Sequence, residues 1–386
     1  MKILILNYEY PPLGGGAGVC SKYEAEGLSV TGNFVTVLTT WFEGENEISE
    51  TENLKLIRLK SKRKYKYKSN PIEMVSWVKL AKKYSDKNFK TNEFDICIAN
   101  FAIPGAIVAK HLKITRKIPY IIISHGQDIP FFFPKQMLKY HLITYFWIKN
   151  LVKNSEKLIL LSNEMKINAD KFVGQKNISK NIIIPNGCNT DIFKADFAKK
   201  SSKFKIIFVG RLVEQKSPFT FLKAIKILKA KNINFSVNIL GDGDLRKKME
   251  EFVIKNKISE NVNFKGWVTK EEILEEYQSA QLQVISSDDE AMSIAALESL
   301  ACGLYVISTP VSGNTELIKS NENGAFFDFR NHNQLADKIL DFYNSKYLKK
   351  FEVDKTKLEI FRKKYDWQNI VCQYNELFKN ILKIEK

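Results

Sequence analysis

The sequence predicts an α/β protein of two doubly wound, Rossmann-like domains, and three observations carry that expectation. Short apolar runs of five or six residues alternate with longer amphipathic stretches along most of the chain. Such runs are what parallel strands look like when crossover helices cover both faces of their sheet. The rhythm breaks once, after the Asn186-Gly187 turn signal, in a polar, lysine-rich stretch, and then restarts. A chain of 386 residues is also long enough for two domains of ordinary size. The boundaries this suggests are a first domain over 1–186, a linker over 187–203 and a second domain over 204–364.

Taken in order, the first strand spans 2–7 and leads through Pro11-Pro12-Leu13-Gly14-Gly15-Gly16 into a helix over 19–30. The glycines lack the GxGxxG spacing with a following acidic residue, so no dinucleotide site is read here. They let a backbone approach a ligand closely. Strands follow at 34–39, 54–59, 94–100, 119–124, 157–162 and 181–185, with a long helix over 137–154. The strand at 119–124 delivers His125-Gly126-Gln127-Asp128. The second series opens with a strand at 204–209, directly followed by Gly210-Arg211-Leu212 and Lys216. A helix over 218–230, a strand at 235–240 closed by Gly241-Asp242-Gly243, a helix over 245–256 and a strand at 262–266 come next. Thr269 with Glu272 forms a capping box. A strand at 282–286 precedes the stretch 289–303, and a buried strand at 304–309 follows it. The chain closes on an apolar-periodic helix over 368–384.

Composition narrows the class. Hydrophobic residues make up 44% and charged residues 27%, the balance of a globular protein. The first apolar run is too short for a signal peptide, and no run reaches the ~18 apolar residues of a membrane span. Five scattered cysteines point to reduced thiols in the cytoplasm. None has zinc spacing with the four histidines, so no metal site is expected. The net charge of +17 is uneven: residues 51–150 carry 20 Lys and Arg against 6 Asp and Glu, whereas residues 201–386 carry 29 against 25. A uniform compositional bias would not concentrate charge in this way. The densest part, Lys60 to Lys68, interleaves lysines and arginine with tyrosines, which suits an anionic lipid surface or a polyanion. The helix around Trp77 that follows reads as amphipathic. Lys62, Arg63, Lys64, Lys66 and Trp77 are therefore the candidate membrane or acceptor patch, against the alternative of a solvated loop and an ordinary surface helix. No recognition motif accompanies the charge, so nucleic acid is not expected as a partner.

Two features carry chemistry. Glu290 and Glu298 flank the start of a short helix that Ser293 opens and Gly303 follows. Exposed N–H groups between them favour an anion such as phosphate; taken alone, the stretch reads first as a capped helix with two solvated glutamates, and its company in the chain overturns that. Arg211 and Lys216 follow a strand directly, where loops of an open α/β sheet meet ligand. A planar guanidinium and a mobile ammonium there can clamp a diphosphate.

In order along nearly the whole chain, the Gly14–Gly16 loop, Thr31-Gly32, His125 to Asp128, Pro185-Asn186-Gly187 with Phe193, Gly210-Arg211-Leu212 with Lys216, Leu240 to Gly243, Phe264-Lys265-Gly266, Glu290 to Glu298, and Tyr365-Asp366-Trp367 form a set. This set resembles the retaining nucleotide-sugar glycosyltransferases of the GT-B type, family 4. The resemblance implies two Rossmann-like domains whose parallel sheets face a central cleft, with the last helix, 365–386, packing back on the first domain. It implies transfer of a hexosyl group from a nucleoside-diphosphate sugar to a carbohydrate or lipid-linked acceptor in cell-surface polysaccharide or glycolipid synthesis, with retention and with neither cofactor nor metal. The implied setting is the cytoplasm or the inner face of the plasma membrane. By position, Arg211 and Lys216 would hold the diphosphate and Glu298 the ribose. Glu290 would face the donor sugar, and the backbone of Ala291, Met292, Ser293 and Ile294 would meet sugar and phosphate oxygens. Gly210 and Gly241 would line the donor, Gly15 and Gly16 would close over the phosphates, and His125 would position the sugar. Four positions depart from the family pattern. Ala291 stands for a glycine, Ser217 for a glycine, Ser299 for an alanine and Ser286 for a proline. Two alternatives share the fold: a nucleotide-sugar 2-epimerase and a non-catalytic membrane-associated scaffold.

Overall fold

A computed structural model describes residues 1–66, 68–130, 132–347 and 353–384. Tyr67 of the basic run and the last two residues of the expected closing helix lie outside the described residues. The chain divides into two compact units, Met1–Asn186 with Trp367–Lys386, and Gly187–Asp366.

Among the described residues the first unit holds eight strands: β1 (Lys2–Leu6), β2 (Phe34–Thr40), β3 (Ile48–Glu50), β4 (Leu54–Leu59), β5 (Ile96–Asn100), β6 (Tyr120–Ile123), β7 (Leu158–Leu160) and β8 (Asn181–Ile183). They pair in the order β3-β4-β2-β1-β5-β6-β7-β8. Every pairing is parallel except β3 with β4. Strand β3 has no signature in the sequence, because Ile-Ser-Glu at a sheet edge makes no apolar run. The second unit holds β9 (Phe204–Val209), β10 (Phe235–Leu240), β11 (Val262–Gly266), β12 (Leu282–Ile285), β13 (Tyr305–Ser308) and β14 (Gly324–Phe326). Their order, β11-β10-β9-β12-β13-β14, is wholly parallel. Counted within the unit it is 3-2-1-4-5-6, the doubly wound order whose switch point lies between the first and fourth strands.

Helices α1 (Gly16–Val30), α2 (Pro71–Asn88), α3 (Ala106–Arg116), α4 (Pro134–Asn154) and α5 (Asn163–Val173) belong to the first unit. The second has α6 (Pro218–Ala230), α7 (Arg246–Lys255), α8 (Lys270–Ser279), α9 (Ile294–Ala301), α10 (Asn314–Leu317), α11 (His332–Phe342) and α12 (Lys355–Tyr365). The closing helix α13 (Trp367–Leu382) is part of the first unit and packs on α1. Trp367 stacks on Tyr23 with ring centroids 5.7 Å apart. A Cβ at Gly27 would lie 2.5 Å from the Val371 side chain, so glycine permits this close approach.

The stretch 187–203, read from its lysines as a polar linker, is instead packed against the second unit. Phe193 is buried and meets Tyr277 edge-on at 6.0 Å. Lys200 is enclosed, and its ammonium donates to the Ala280 carbonyl at 2.5 Å. Apolar side chains such as Phe193 dictate the path here, and the Lys200 stem lies along it with its charged end bonded to carbonyls.

Candidate functional site

The loops that leave β9 and β12 flank the switch point of the second sheet, and side chains stitch them together. Ser286 Oγ lies 2.9 and 3.0 Å from the carbonyls of Lys216 and Ser217. Gln215 Nε2 donates to the Asp289 carbonyl at 2.9 Å, and the Asp288 N–H donates to the Gln215 carbonyl at 2.8 Å. Lys216 Nζ donates to Glu290 Oε1, which also accepts from Ser287 Oγ at 2.9 Å. Asp288 in turn accepts from Arg330 Nε at 3.1 Å. Lys216 and Glu290, read separately in the sequence, thus form one partly buried ion pair, with Arg211 half-buried at the end of β9. The arrangement fixes a cation beside a carboxylate at the carboxyl edge of the sheet. Ser286, one of the departures, is the residue whose hydroxyl ties the two loops.

The backbone explains two further departures. Ser217 has φ +44° and ψ +49°, a left-handed conformation that favours glycine. Its hydroxyl lies 2.9 Å from Thr220 Oγ1, which offsets part of the strain. Ala291 is not among the residues with positive φ, so its methyl needs no unusual backbone. Behind it, Gly313 is essential to the fit: a Cβ there would lie 2.5 Å from the Ala291 carbonyl and 2.6 Å from Met292 Cα. Ser293 caps α9 by accepting from the Ala296 N–H at 3.3 Å. The amides of the first turn, from Ile294 on, have no intrahelical acceptor by construction.

Gly210 and Gly241 serve the site through each other. Gly210 N–H donates to the Leu240 carbonyl at 2.9 Å, Leu212 N–H to the Asp242 carbonyl at 2.9 Å, and Leu245 N–H to the Leu212 carbonyl at 3.0 Å. This backbone lattice holds Arg211 at the sheet edge.

Glu298 sits one turn into α9, and Tyr277 from α8 donates to its Oε2 at 3.2 Å. A rim of the side chain stays exposed, yet dense surroundings push its carboxyl up to about 7, against the pull of the Tyr277 hydrogen bond.

In the first unit, His125 follows β6, and its Nε2 lies 2.7 Å from Asn100 Oδ1 at the end of β5. Its ring is 4.7 Å from that of Phe101. Burial lowers its pKa to about 4, so the ring is neutral near pH 7. An Asn oxygen only accepts, so the proton sits on Nε2 and Nδ1 is left as an acceptor. The loop is anchored by Asp128, which accepts from Ser124 Oγ at 2.6 Å and from the Ala102 N–H at 2.8 Å. Gly15 caps α1 and Gly16 begins it, at the carboxyl end of β1, beside the switch point between β1 and β5. Sequence reasoning missed Glu24. It lies on the buried face of α1 and contacts Asn100, and burial pushes its carboxyl up to about 7. The available signal was a carboxylate in phase with Cys20, Ala25 and Leu28 on the helix.

Glu24 and Glu298 predict a pH dependence. Between their ordinary value of 4.5 and about 7, the folded chain keeps protons that the unfolded chain has released. Each therefore contributes stability that is fully present below pH 4.5 and lost as the pH rises through 7. His125, lowered to about 4, opposes them up to its ordinary 6.5. Glu24→Gln should raise stability at pH 7.5 by ~1–3 kcal/mol relative to its effect at pH 5, measured by thermal unfolding. Identical pH profiles for the variant and the parent would contradict this.

The expected basic patch is corrected at two residues. Trp77 is 1% exposed, because α2 buries the stripe Glu73, Trp77, Ala81 and Ser85, and the indole packs into the unit. The Arg63 side chain is only 2% exposed; it pairs with Glu9 at 3.4 Å and lies over the Tyr8 ring, so its charge is committed internally. Lys62, Lys64 and Lys66 remain exposed.

Two family profiles match the chain: "Glycosyltransferase Family 4" over residues 14–192 and "Glycosyl transferases group 1" over 189–356. An uncharacterized glycosyltransferase of Methanocaldococcus jannaschii is 29% identical over 80% of this chain and 81% of its own length. The Escherichia coli UDP-Gal:alpha-D-GlcNAc-diphosphoundecaprenol alpha-1,3-galactosyltransferase is 26% identical over 68% of this chain and 70% of its own. The fold matches sucrose-phosphate synthase from Thermosynechococcus elongatus with a TM-score of 0.85 at 18% identity, covering both chains fully. The chain belongs to the group 1 glycosyltransferases and is a nucleotide-sugar glycosyltransferase of the GT-B fold.

Proposed function

We propose that this chain transfers a hexosyl group, with retention of anomeric configuration, from a nucleoside-diphosphate sugar to a lipid-linked saccharide in cell-surface polysaccharide or glycolipid assembly. The observation that supports it best is the stitched pair of loops at the switch point of the second sheet, which brings Lys216 and Glu290 together, Lys216 in the same loop after β9 that carries Arg211. In this reading Arg211 and Lys216 bind the donor diphosphate, and Lys216 turns from Glu290 toward phosphate when donor arrives. Amides at the start of α9 take phosphate or sugar oxygens, Glu298 accepts from the ribose hydroxyls, and Glu290 accepts from a hydroxyl of the donor sugar. His125 positions the sugar, and the Gly15–Gly16 backbone meets the phosphates.

The bond between the anomeric carbon and the diphosphate oxygen breaks, and the oxygen leaves with the electron pair. Fixed cations and N–H groups stabilise the charge that develops on it. The acceptor hydroxyl attacks from the same face, and its proton passes to the departing phosphate oxygen. The reading gives no role to a metal. The relative whose name specifies a diphosphoundecaprenol acceptor supports a lipid-linked substrate, and with it a place at the inner face of the plasma membrane.

The test is product analysis with UDP-, GDP- and ADP-sugars and diphosphoundecaprenol-linked acceptors. A new glycosidic bond with the donor's anomeric configuration, read from proton couplings by NMR, is the expected result. An inverted bond would overturn retention. An epimerised sugar nucleotide formed without acceptor would favour the 2-epimerase.

A further inference from the structure

We infer that the outward face of α4 is a membrane-docking surface that lies in the plane of a bilayer containing anionic lipid. The inward face of this helix is already satisfied. His141, Ile148, Leu151 and Val152 are buried, His141 Nε2 lies 2.8 Å from the Gln127 carbonyl, and Tyr145 meets Phe172 edge-on at 5.0 Å. The opposite face is apolar as well. Leu142, Ile143, Phe146 and Trp147 are 69%, 84%, 81% and 57% exposed. Their spacing places them side by side on successive turns, with exposed Leu138 and Tyr140 one turn before. A helix that is apolar on both faces, with only one face covered, has an unmet partner.

Charge decides what that partner is. Residues 129–155 contain four lysines and neither aspartate nor glutamate. Exposed Lys139 and Lys153 stand toward the two ends of the apolar ridge, and Lys149 lies over the Tyr145 ring. A second copy related by a two-fold axis would set these lysines against themselves with no carboxylate on the helix to offset them. Anionic headgroups fit the lysines, acyl chains fit Phe146 and Ile143, and the amphipathic rings of Trp147 and Tyr140 suit the boundary between the two. Among the described residues no helix is long and apolar enough to cross a membrane, so α4 lies along the surface. Membrane contact thus moves from the basic, tyrosine-containing segment at 60–83, whose Trp77 is buried, to a helix with an exposed apolar ridge.

The test is flotation of the full chain with vesicles of phosphatidylcholine alone and of an equal mixture with phosphatidylglycerol. Neither donor nor acceptor is present, so the result is independent of the proposed reaction. The parent should float with the mixture. Phe146→Ser with Trp147→Ser should lower the bound fraction at least ~10-fold with the chain still folded by thermal unfolding, because more than half of each side chain is exposed. A second variant, Lys139→Gln with Lys153→Gln, should lose the preference for the anionic mixture. Lys62→Gln with Lys64→Gln and Lys66→Gln should float as the parent does. A parent that does not float, or a serine variant that floats equally well, would overturn the inference. So would a parent dimer, detected by sedimentation, that the serine variant dissociates.

Discussion

Replacing Arg211 or Lys216 by alanine is expected to lower sugar transfer at least ~10-fold, and by as much as ~10²–10³-fold, while the protein stays folded. The leaving diphosphate gains charge as its bond to the sugar stretches, and a fixed cation lowers that barrier without reorganising at the moment of reaction. The two residues should differ in kind. Arg211 presents a rigid fork suited to paired phosphate oxygens, so Arg211→Lys should recover only part of the activity. Lys216 already pairs with Glu290, whose carboxylate is held partly buried beside Ser287. Its loss leaves that carboxylate facing the incoming phosphates, so Lys216→Ala should weaken donor binding as well as slow transfer. Initial rates against donor concentration separate the two effects. Full activity in the Arg211→Ala, Lys216→Ala double variant would remove the diphosphate clamp from the mechanism.

Gly241→Ala should destabilise the second unit by ~3–5 kcal/mol and abolish donor binding. The new methyl would lie 2.1 Å from the Gly210 carbonyl oxygen and 2.9 Å from its carbon. Both neighbours are backbone, so neither has a rotamer to escape into. Gly241 also has φ +126°, which an L side chain rarely adopts. The nearest way to relieve the clash is to push Gly210 off the edge of β9, and Arg211 moves with it. Gly44 provides the control: its φ is +89°, but a methyl added there would have nothing within 4 Å. Gly44→Ala should therefore show only the conformational cost, ~1–2 kcal/mol. Urea unfolding of the two variants compares them, and equal losses would show that packing at Gly210 is not what fixes the loop.

The sheets were legible because their central strands are buried on both faces and read as continuous apolar runs, as in Ile3 to Leu6 and Ile121 to Ile123. The charged site was legible because glycines and cations follow those strands at fixed places. What escaped depended on tertiary partners. Trp77 looked like a surface anchor because lysines surround it in sequence, but the helical period groups it with Glu73, Ala81 and Ser85. Arg63 counted as surface charge because its partner Glu9 is 54 residues away. Glu24 escaped because its neighbour Asn100 comes from β5, far along the chain. The apolar ridge of α4 escaped too, since a sequence shows that a helix is apolar but not which face the rest of the fold leaves uncovered. Lys216 and Glu290 were each singled out, yet their pairing across 74 residues follows only from the adjacency of β9 and β12.

Calorimetric titration of UDP, GDP and ADP into the parent and into Arg211→Ala puts the donor site itself to the test. One of the three nucleotides should bind the parent saturably at a single site, and the arginine variant should bind it at least ~10-fold more weakly. Equal affinity in the two proteins, or no binding of any of the three to the parent, would contradict a diphosphate held by the β9 and β12 loops.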